Sequence, residues 1–241
     1  MKKIVAIITL TLLTGFSLLS GSVNRSIRVE RGEKIGHSLK TVNGSIRIAD
    51  QAEITGDCST VNGSVTLGSR VLLDGDCSTV NGSIVIDGNC RIENVRTVNG
   101  RIEIGEKCDI HGDVRTTNGR LSLQEGTVVT GSLTTTNGNV ELNGVDLKED
   151  LRMSNGEVNI DRKSRVGGDI VISPSRSSGS WFFGLFRREG PNNKPIEVFI
   201  RNHSIVEGNI IVKNDYRKVI VYLDENSEVK GKIINAEKHS L

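Results

Sequence analysis

The chain has 241 residues and a formal net charge of +2, and aromatic residues make up only 3% of it. This charge balance argues against the strongly basic surface of nucleic-acid binding proteins, so no nucleic-acid partner is expected. The scarcity of aromatic side chains argues against a conventional globular core and favours a thin core of Ile, Val and Leu.

The N-terminus has the composition of a secretory signal peptide. Met1-Lys2-Lys3 precedes the apolar run 4–13, and Ser20-Gly21-Ser22 supplies small residues for cleavage. We therefore predict a signal peptide over 1–22 and export to the periplasm, the cell surface or the medium; the alternative is an uncleaved membrane anchor. No cysteine follows Leu19 in this region, so a lipoprotein acylation site is not expected.

The remaining chain is organised by a repeat. The dipeptide Asn-Gly recurs at spacings of 18 or 19 residues, and an eighth copy without the glycine, Val23-Asn24-Arg25, precedes the first by 19 residues. A fixed period of this length is typical of a solenoid. The repeated asparagines are Asn43, Asn62, Asn81, Asn99, Asn118, Asn137 and Asn155.

One unit, residues 63–81, contains three short segments of alternating apolar and polar residues, separated by corners of small residues. Such alternation predicts strands, and strands this short are stable only when successive coils stack at about 4.8 Å. The sequence therefore predicts an all-β protein with a single three-sided parallel β-helix at 23–241, with about ten or eleven coils of roughly 19 residues. Two of the predicted core columns are Ile46, Val65, Ile84, Ile102, Leu121, Val140, Val158 and Leu39, Cys58, Cys77, Val95, Val114, Leu133, Leu151.

The Asn-Gly step has two interpretations. Stacked asparagines could form a structural ladder of side-chain hydrogen bonds between coils, with glycine supplying a positive φ at the corner. Asn-Gly is also the strongest short hairpin signal. The ladder is favoured, because a meander of hairpins would need an equally strong second turn in each unit, and the intervening corners vary in length and type.

The four cysteines fall in two columns, Cys58 with Cys77 and Cys90 with Cys108. Adjacent rungs of a parallel ladder lie within reach of a disulfide, and an exported protein could oxidise them. The favoured interpretation is that all four are free, buried thiols acting as small hydrophobic side chains. No histidine joins either column, so neither a metal nor another cofactor is expected.

Polar columns are expected to face outwards. One contains acidic and amide residues and its neighbour contains basic ones; enzymes that cleave acidic polysaccharides on β-helices use such faces. Here Ser and Asn dilute the acids, so we predict a solvated face and no catalytic residue. These columns are Ser38, Asp57, Asp76, Asn94, Asp113, Ser132, Asp150 and Lys40, Ser59, Ser78, Arg96, Arg115, Thr134, Arg152.

A further column starts with four valines and would form an apolar stripe if it faced solvent, although a register shift of one residue would bury it. We expect exposure. The valines are Val42, Val61, Val80 and Val98.

The regular Asn-Gly repeats span 23–173, an insertion follows at 174–195, and longer coils occupy 196–241. The insertion contains aromatic residues beside two arginines, a composition suited to a membrane interface or a partner protein. Alternatively, it folds back over an open apolar face. The candidate contact residues are Trp181, Phe182, Phe183, Phe186, Arg187 and Arg188.

The segments Val166-Gly167-Gly168-Asp169-Ile170 and Val206-Glu207-Gly208-Asn209-Ile210 share the pattern V-x-G-(D/N)-I. This pattern resembles the repeat of bactofilins, polymer-forming right-handed β-helices of bacteria; the Val-Asn-Gly units also resemble exported β-solenoid adhesins. The resemblance implies a right-handed coil and a scaffold or adhesive role, and it carries over no catalytic residue.

From the sequence we expect a non-enzymatic scaffold that self-associates through its ends, because an open solenoid end exposes unpaired strand edges. Its other partners would be an envelope protein, a glycan or a membrane surface. The alternatives are an adhesin or carbohydrate-binding solenoid and, less favoured, an envelope polysaccharide lyase or hydrolase.

Overall fold

The computed structural model describes residues 23–174, 194–214 and 217–241. The predicted signal peptide and the aromatic cluster Trp181–Arg188 lie outside these residues. Within them the chain forms a three-sided β-solenoid whose regular elements are all strands, and every strand pairing is parallel. The prediction of an all-β parallel solenoid with about ten coils is confirmed.

The first sheet has 11 strands, and each strand pairs with its counterpart one coil away. Its strands are β1 (Ile27–Val29), β4 (Ile46–Ile48), β7 (Val65–Leu67), β10 (Ile84–Ile86), β13 (Ile102–Ile104), β16 (Leu121–Leu123), β19 (Val140–Asn143), β22 (Val158–Asp161), β25 (Ile196–Ile200), β28 (Val219–Leu223) and β31 (Glu237–Ser240).

The second and third sheets have 10 strands each. The second contains β2 (Lys34–Ile35), β5 (Glu53–Thr55), β8 (Leu72–Asp74), β11 (Arg91–Ile92), β14 (Asp109–Ile110), β17 (Val128–Val129), β20 (Asp146–Leu147), β23 (Arg165–Val166), β26 (Ile205–Val206) and β29 (Glu228–Val229). The third contains β3 (Leu39–Thr41), β6 (Cys58–Thr60), β9 (Cys77–Thr79), β12 (Val95–Arg96), β15 (Val114–Arg115), β18 (Leu133–Thr134), β21 (Leu151–Met153), β24 (Ile170–Ile172), β27 (Ile210–Val212) and β30 (Ile233–Ile234).

The core is a set of aliphatic columns that run along the solenoid axis. Ile84 pairs with Val65 on one side and with Ile102 on the other, and all three side chains are fully buried. The predicted columns are therefore in register, as period-2 alternation requires when one face of each strand is buried.

The insertion does not disturb this register. Val158 in β22 pairs with Val198 in β25, so the core column continues across it. The next coil is longer than the regular repeat, since Val198 pairs with Val221, 23 residues further on. Part of the additional length extends the paired strands, since β25 and β28 have five residues each and Ile196 pairs with Val219.

No helix in the described parts of the chain is long and apolar enough to span a bilayer.

Candidate functional site: the ladders and the two ends

The repeated asparagines form a continuous ladder along one corner of the solenoid. The amide Nδ2 of Asn62 donates to Oδ1 of Asn43 at 2.8 Å, and Asn81 donates to Asn62 at the same distance. At the far end, Oδ1 of Asn155 accepts a bond from Nη1 of Arg217 at 3.2 Å. The ladder starts at Asn24, and its remaining steps join Asn43 to Asn24, Asn99 to Asn81, Asn118 to Asn99, Asn137 to Asn118 and Asn155 to Asn137.

The glycines beside these asparagines serve a purpose other than the predicted one. In this column only Gly156 has a positive φ, of 133°, so the expectation of a left-handed backbone is wrong for the others. A Cβ on Gly82 would lie 2.0 Å from the carbonyl oxygen of Gly63 in the preceding coil. Glycine is required because the backbones of adjacent coils approach too closely for any side chain.

A second ladder, of threonines, was not predicted. Thr60 and Thr79 precede the Val-Asn-Gly corner, face inwards and are 1–2% exposed. Oγ1 of Thr79 donates to the carbonyl oxygen of Gly63 at 2.8 Å, and Thr60 donates to Gly44 at 2.7 Å. These bonds satisfy carbonyl groups at the tight corner, where a buried acceptor without a partner would be costly. Thr41, Thr97, Thr116 and Thr135 make the equivalent bond.

The acidic column is a third ladder. Oδ1 of Asp57 accepts the backbone N–H of Asp76, and Oδ1 of Asp113 accepts that of Ser132. Asp150 accepts the N–H of Asp169 at 2.8 Å in the same way. These carboxylates therefore satisfy backbone donors at a corner, a structural role that the spacing alone did not reveal.

The neighbouring basic column faces outwards from the third sheet and pairs with these acids. Arg96 and Asp76 approach to 3.8 Å, as do Lys40 and Asp57. Both pairs are substantially exposed, so each contributes little to stability.

All four cysteines are free and buried. Burial, with a smaller effect of Asp57, raises the pKa of the Cys58 thiol to about 12. The Sγ of Cys90 donates to the carbonyl oxygen of Gly68 at 3.1 Å, and Thr127 makes the corresponding bond to Gly105 at 2.7 Å. Cys90 and Cys108 thus occupy positions where the hydroxyl group of threonine also fits. In addition to packing as small hydrophobic side chains, they donate hydrogen bonds to backbone carbonyl oxygens.

The valine column is less exposed than expected. Val80 and Val98 are buried at 9% exposure, and Val42 and Val61 are half-buried. The prediction of a solvent-facing apolar stripe is wrong, because the corner at each Asn-Gly step departs from strict alternation and turns the valine partly inwards.

The outer face of the first sheet carries an aromatic stack near its C-terminal end. The Phe199 and Tyr222 rings are parallel, with centroids 4.8 Å apart, and His239 lies 5.7 Å from Tyr222. The guanidinium of Arg201 covers the Phe199 ring at 5.4 Å. Because the ring faces contact one another, the stack joins adjacent coils.

No group of three or more His, Cys, Asp or Glu residues suited to a metal ion occurs in the described ranges. His111 lies 3.9 Å from Glu93, and His239 belongs to the aromatic stack. His37 and His203 lie at different corners of the solenoid, so the histidines are not brought together.

The two ends of the solenoid differ in chemistry. Among the described strands, β1, β2 and β3 each have a neighbour on one side only, and so do β29, β30 and β31. One core column of the first sheet begins with Ile27 and ends with Lys238, which pairs with Val221. The parallel column begins with Val29 and ends with Ser240. The first coil is thus apolar inside, whereas the last coil places polar residues in core columns.

The chain matches no protein-family model, and comparisons with curated proteins and with solved structures find no match either.

Proposed function

We propose that this protein is a non-enzymatic structural protein of the cell envelope that associates with further copies of itself through the ends of its solenoid. The observation that carries this proposal is the set of three strand edges at each end without a neighbour in the described chain. Such edges have the hydrogen-bond spacing of the protein's own sheets, so another copy is a suitable partner.

The use of the polar columns supports a structural role. The asparagine, threonine and aspartate ladders bind one coil to the next, and the carboxylates that could have served acid–base chemistry accept backbone N–H groups. Their regular spacing along the axis suits a stiff rod.

Sedimentation velocity over a concentration series, combined with negative-stain electron microscopy, tests this proposal. Both the full chain and the chain from Val23 would be measured, since the latter contains every described strand. We expect species larger than the monomer whose proportion grows with concentration. A monomeric rod at all concentrations in both forms would overturn the proposal.

The exposed asparagine ladder favours a second candidate, a carbohydrate-binding surface. Each interior amide of the ladder, from Asn43 to Asn137, uses one N–H and one oxygen lone pair within the ladder, which leaves further donor and acceptor capacity on the solvent side. A glycan array tests this candidate: binding that is lost on changing Asn81 and Asn99 to alanine together would support it.

A further inference from the structure

The two ends of the solenoid are not equally able to accept another coil. Ile27 is half-buried at the N-terminal end of a core column in which the side chains from Ile46 to Val221 are fully buried. Lys238 occupies the C-terminal end of the same column and is exposed. The same residue position is therefore apolar at one end and charged at the other.

Head-to-tail stacking would continue each column from one copy to the next. It would place Ile27 of the added copy against Lys238 and Val29 against Ser240. The ammonium group of Lys238 would then lie at the edge of an aliphatic core, and burying an unpaired charge costs several kcal/mol. An inward-pointing charge on an edge strand is one of the devices by which proteins prevent edge pairing.

The other two sheets end one coil earlier than the first. They have 10 strands each and the first sheet has 11, so when β1 of an added copy lies on β31, its β2 and β3 have no direct neighbour in β29 and β30. Val229 and Ile233 in those strands are apolar. The charged obstacle to stacking therefore lies in β31, where the sequence Glu-Lys-His-Ser replaces an apolar alternation.

Among the residues that the structure describes, from Val23 onwards, the first coil has no such obstacle. Its core-facing residues are Ile27, Val29, Ile35, Leu39 and Thr41, and three of these five are buried while Ile27 and Ile35 are only partly covered. A second N-terminal coil would complete their burial.

We infer that self-association, on which this inference rests, occurs through the N-terminal coils alone, and that Lys238 and Ser240 close the C-terminal end. Two copies related by a two-fold axis meet at their N-terminal coils. The two-fold rotation keeps the handedness of the solenoid but reverses the direction in which the partner's strands run at the interface. β1 therefore lies antiparallel to β1 of the partner, and β2 lies against the partner's β3. This isologous contact closes at two copies and does not propagate into a filament.

The charges around the first coil make the contact dependent on salt. Arg28, Lys34 and Lys40 project from β1, β2 and β3. In the two-fold arrangement Arg28 faces its own copy, while Lys34 and Lys40, which pair with Glu53 and Asp57 of the second coil, lie on facing strands. Screening by salt acts over about 8 Å at physiological ionic strength. The dimer is therefore expected to tighten as the salt concentration rises.

The first test transfers the charge to the other end. In the chain from Val23, Ile27→Lys places a lysine in the core column of the N-terminal coil, and we expect the dimer dissociation constant to rise by roughly 100-fold or more. The matched control is Val23→Lys, which adds the same charge near the same end at a residue that is 55% exposed. An unchanged dimer in Ile27→Lys, or equal loss in both variants, would overturn the inference; thermal unfolding checks that both variants fold.

The second test removes the obstacle at the C-terminal end. The double change Lys238→Ile and Ser240→Val restores the apolar alternation of β31, and we expect dimers to join into filaments visible by electron microscopy. Lys232→Ile, an exposed position in the same coil, is the control for added hydrophobicity and should remain dimeric. A double variant that stays dimeric would overturn the assignment of Lys238 and Ser240 as the closing residues.

The outcomes also separate this inference from the proposed function. Filaments of the unchanged chain would support self-association through the ends but overturn closure at the C-terminal end. Monomers at every salt concentration, in the unchanged chain and the double variant alike, would overturn both.

Discussion

The coils before and after residue 157 share the same aliphatic columns but are joined at their surfaces by different chemistry. The earlier coils use asparagine amides, threonine hydroxyls and closely approaching glycines at one corner. Met153 already replaces threonine in the last Asn-Gly coil, and Ile172 and Val212 continue this column in the later coils. In the later coils an aromatic stack and an ion-pair network provide the surface contacts. The stacking of coils therefore requires a filled core, while the polar links between them are interchangeable.

The ion-pair network of the later coils lies on the outer face of the second sheet. Glu207 binds Lys230 at 2.8 Å and Arg165 at 3.0 Å, and Arg165 also approaches Asp146 at 3.6 Å. Lys230 and Arg165 hold the pKa of Glu207 below its usual value. Arg165 and Lys230 are exposed and Glu207 is half-buried, so the network's contribution to stability is small compared with that of the core.

The largest effect is expected from adding one methyl group to the glycine corner. Gly82→Ala would place Cβ 2.0 Å from the carbonyl oxygen of Gly63, so the backbones of two coils must separate. We expect unfolding to become easier by about 4 kcal/mol or more, as measured by urea denaturation. Gly36→Ala is the matched control, because nothing lies within 4 Å of the position that its added methyl group would take; a similar loss in both variants would contradict the close-approach argument.

The buried thiols predict a loss of stability at alkaline pH. The pKa of the Cys58 thiol is about 12 in the folded protein, against 9.0 for a thiol exposed to water in the unfolded chain. Between these two values the folded form keeps the thiol neutral, while the unfolded form ionises it. The stabilising effect is complete below pH 9.0 and is lost as the pH rises towards 12; one pKa unit corresponds to about 1.4 kcal/mol, which gives up to about 4 kcal/mol.

Denaturation curves between pH 8 and pH 12 measure this dependence, and the variant Cys58→Val serves as its control because Val95 already occupies the same column. The variant should show a flatter alkaline decline than the unchanged chain. Parallel declines would contradict the assignment to the thiol.

A smaller effect is expected from the threonine ladder. Thr79→Val keeps the shape of the side chain but removes the 2.8 Å bond to the Gly63 carbonyl, and we expect a loss of about 1–3 kcal/mol by denaturation. Thr79→Ser retains the hydroxyl and should lose less. An equal loss of stability in Thr79→Val and Thr79→Ser would contradict this prediction. It would mean that the earlier coils, like the later ones, do not require the hydroxyl group.

The aromatic stack should have the smallest effect. Phe199→Leu and Tyr222→Leu, alone and combined, form a double-mutant cycle in which we expect a coupling of about 1 kcal/mol. A coupling near zero would mean that the rings pack independently against their own strands.

Much of the fold could be predicted because the repeat states each core position many times. Ile84 alone is ambiguous, but together with Val65 and Ile102 at the same offset it defines a column, and the alternation then sets the inward face. The asparagine ladder was predictable for the same reason. No single asparagine would have indicated it.

The corners and the ends were less predictable. Thr79 and Val80 are both buried although they are adjacent, which no period-2 pattern indicates. The role of Gly82 depends on the distance to another coil, and a single coil's sequence contains no such distance. The position of Lys238 in a core column follows only from its pairing with Val221, since β31 has no apolar alternation of its own.

The asparagine ladder also gives the solenoid an electrical direction. Every described step runs from the Nδ2 of one residue to the Oδ1 of the residue one coil nearer the N-terminus, so the amide dipoles point the same way and polarise one another. The result resembles the macrodipole of an α-helix, with its positive end at Asn24 and its negative end at Asn155. The guanidinium of Arg217 at Asn155 then corresponds to the cation that stabilises a helix C-terminus. The rod is thus a polar object along its axis, independently of the charges on its faces.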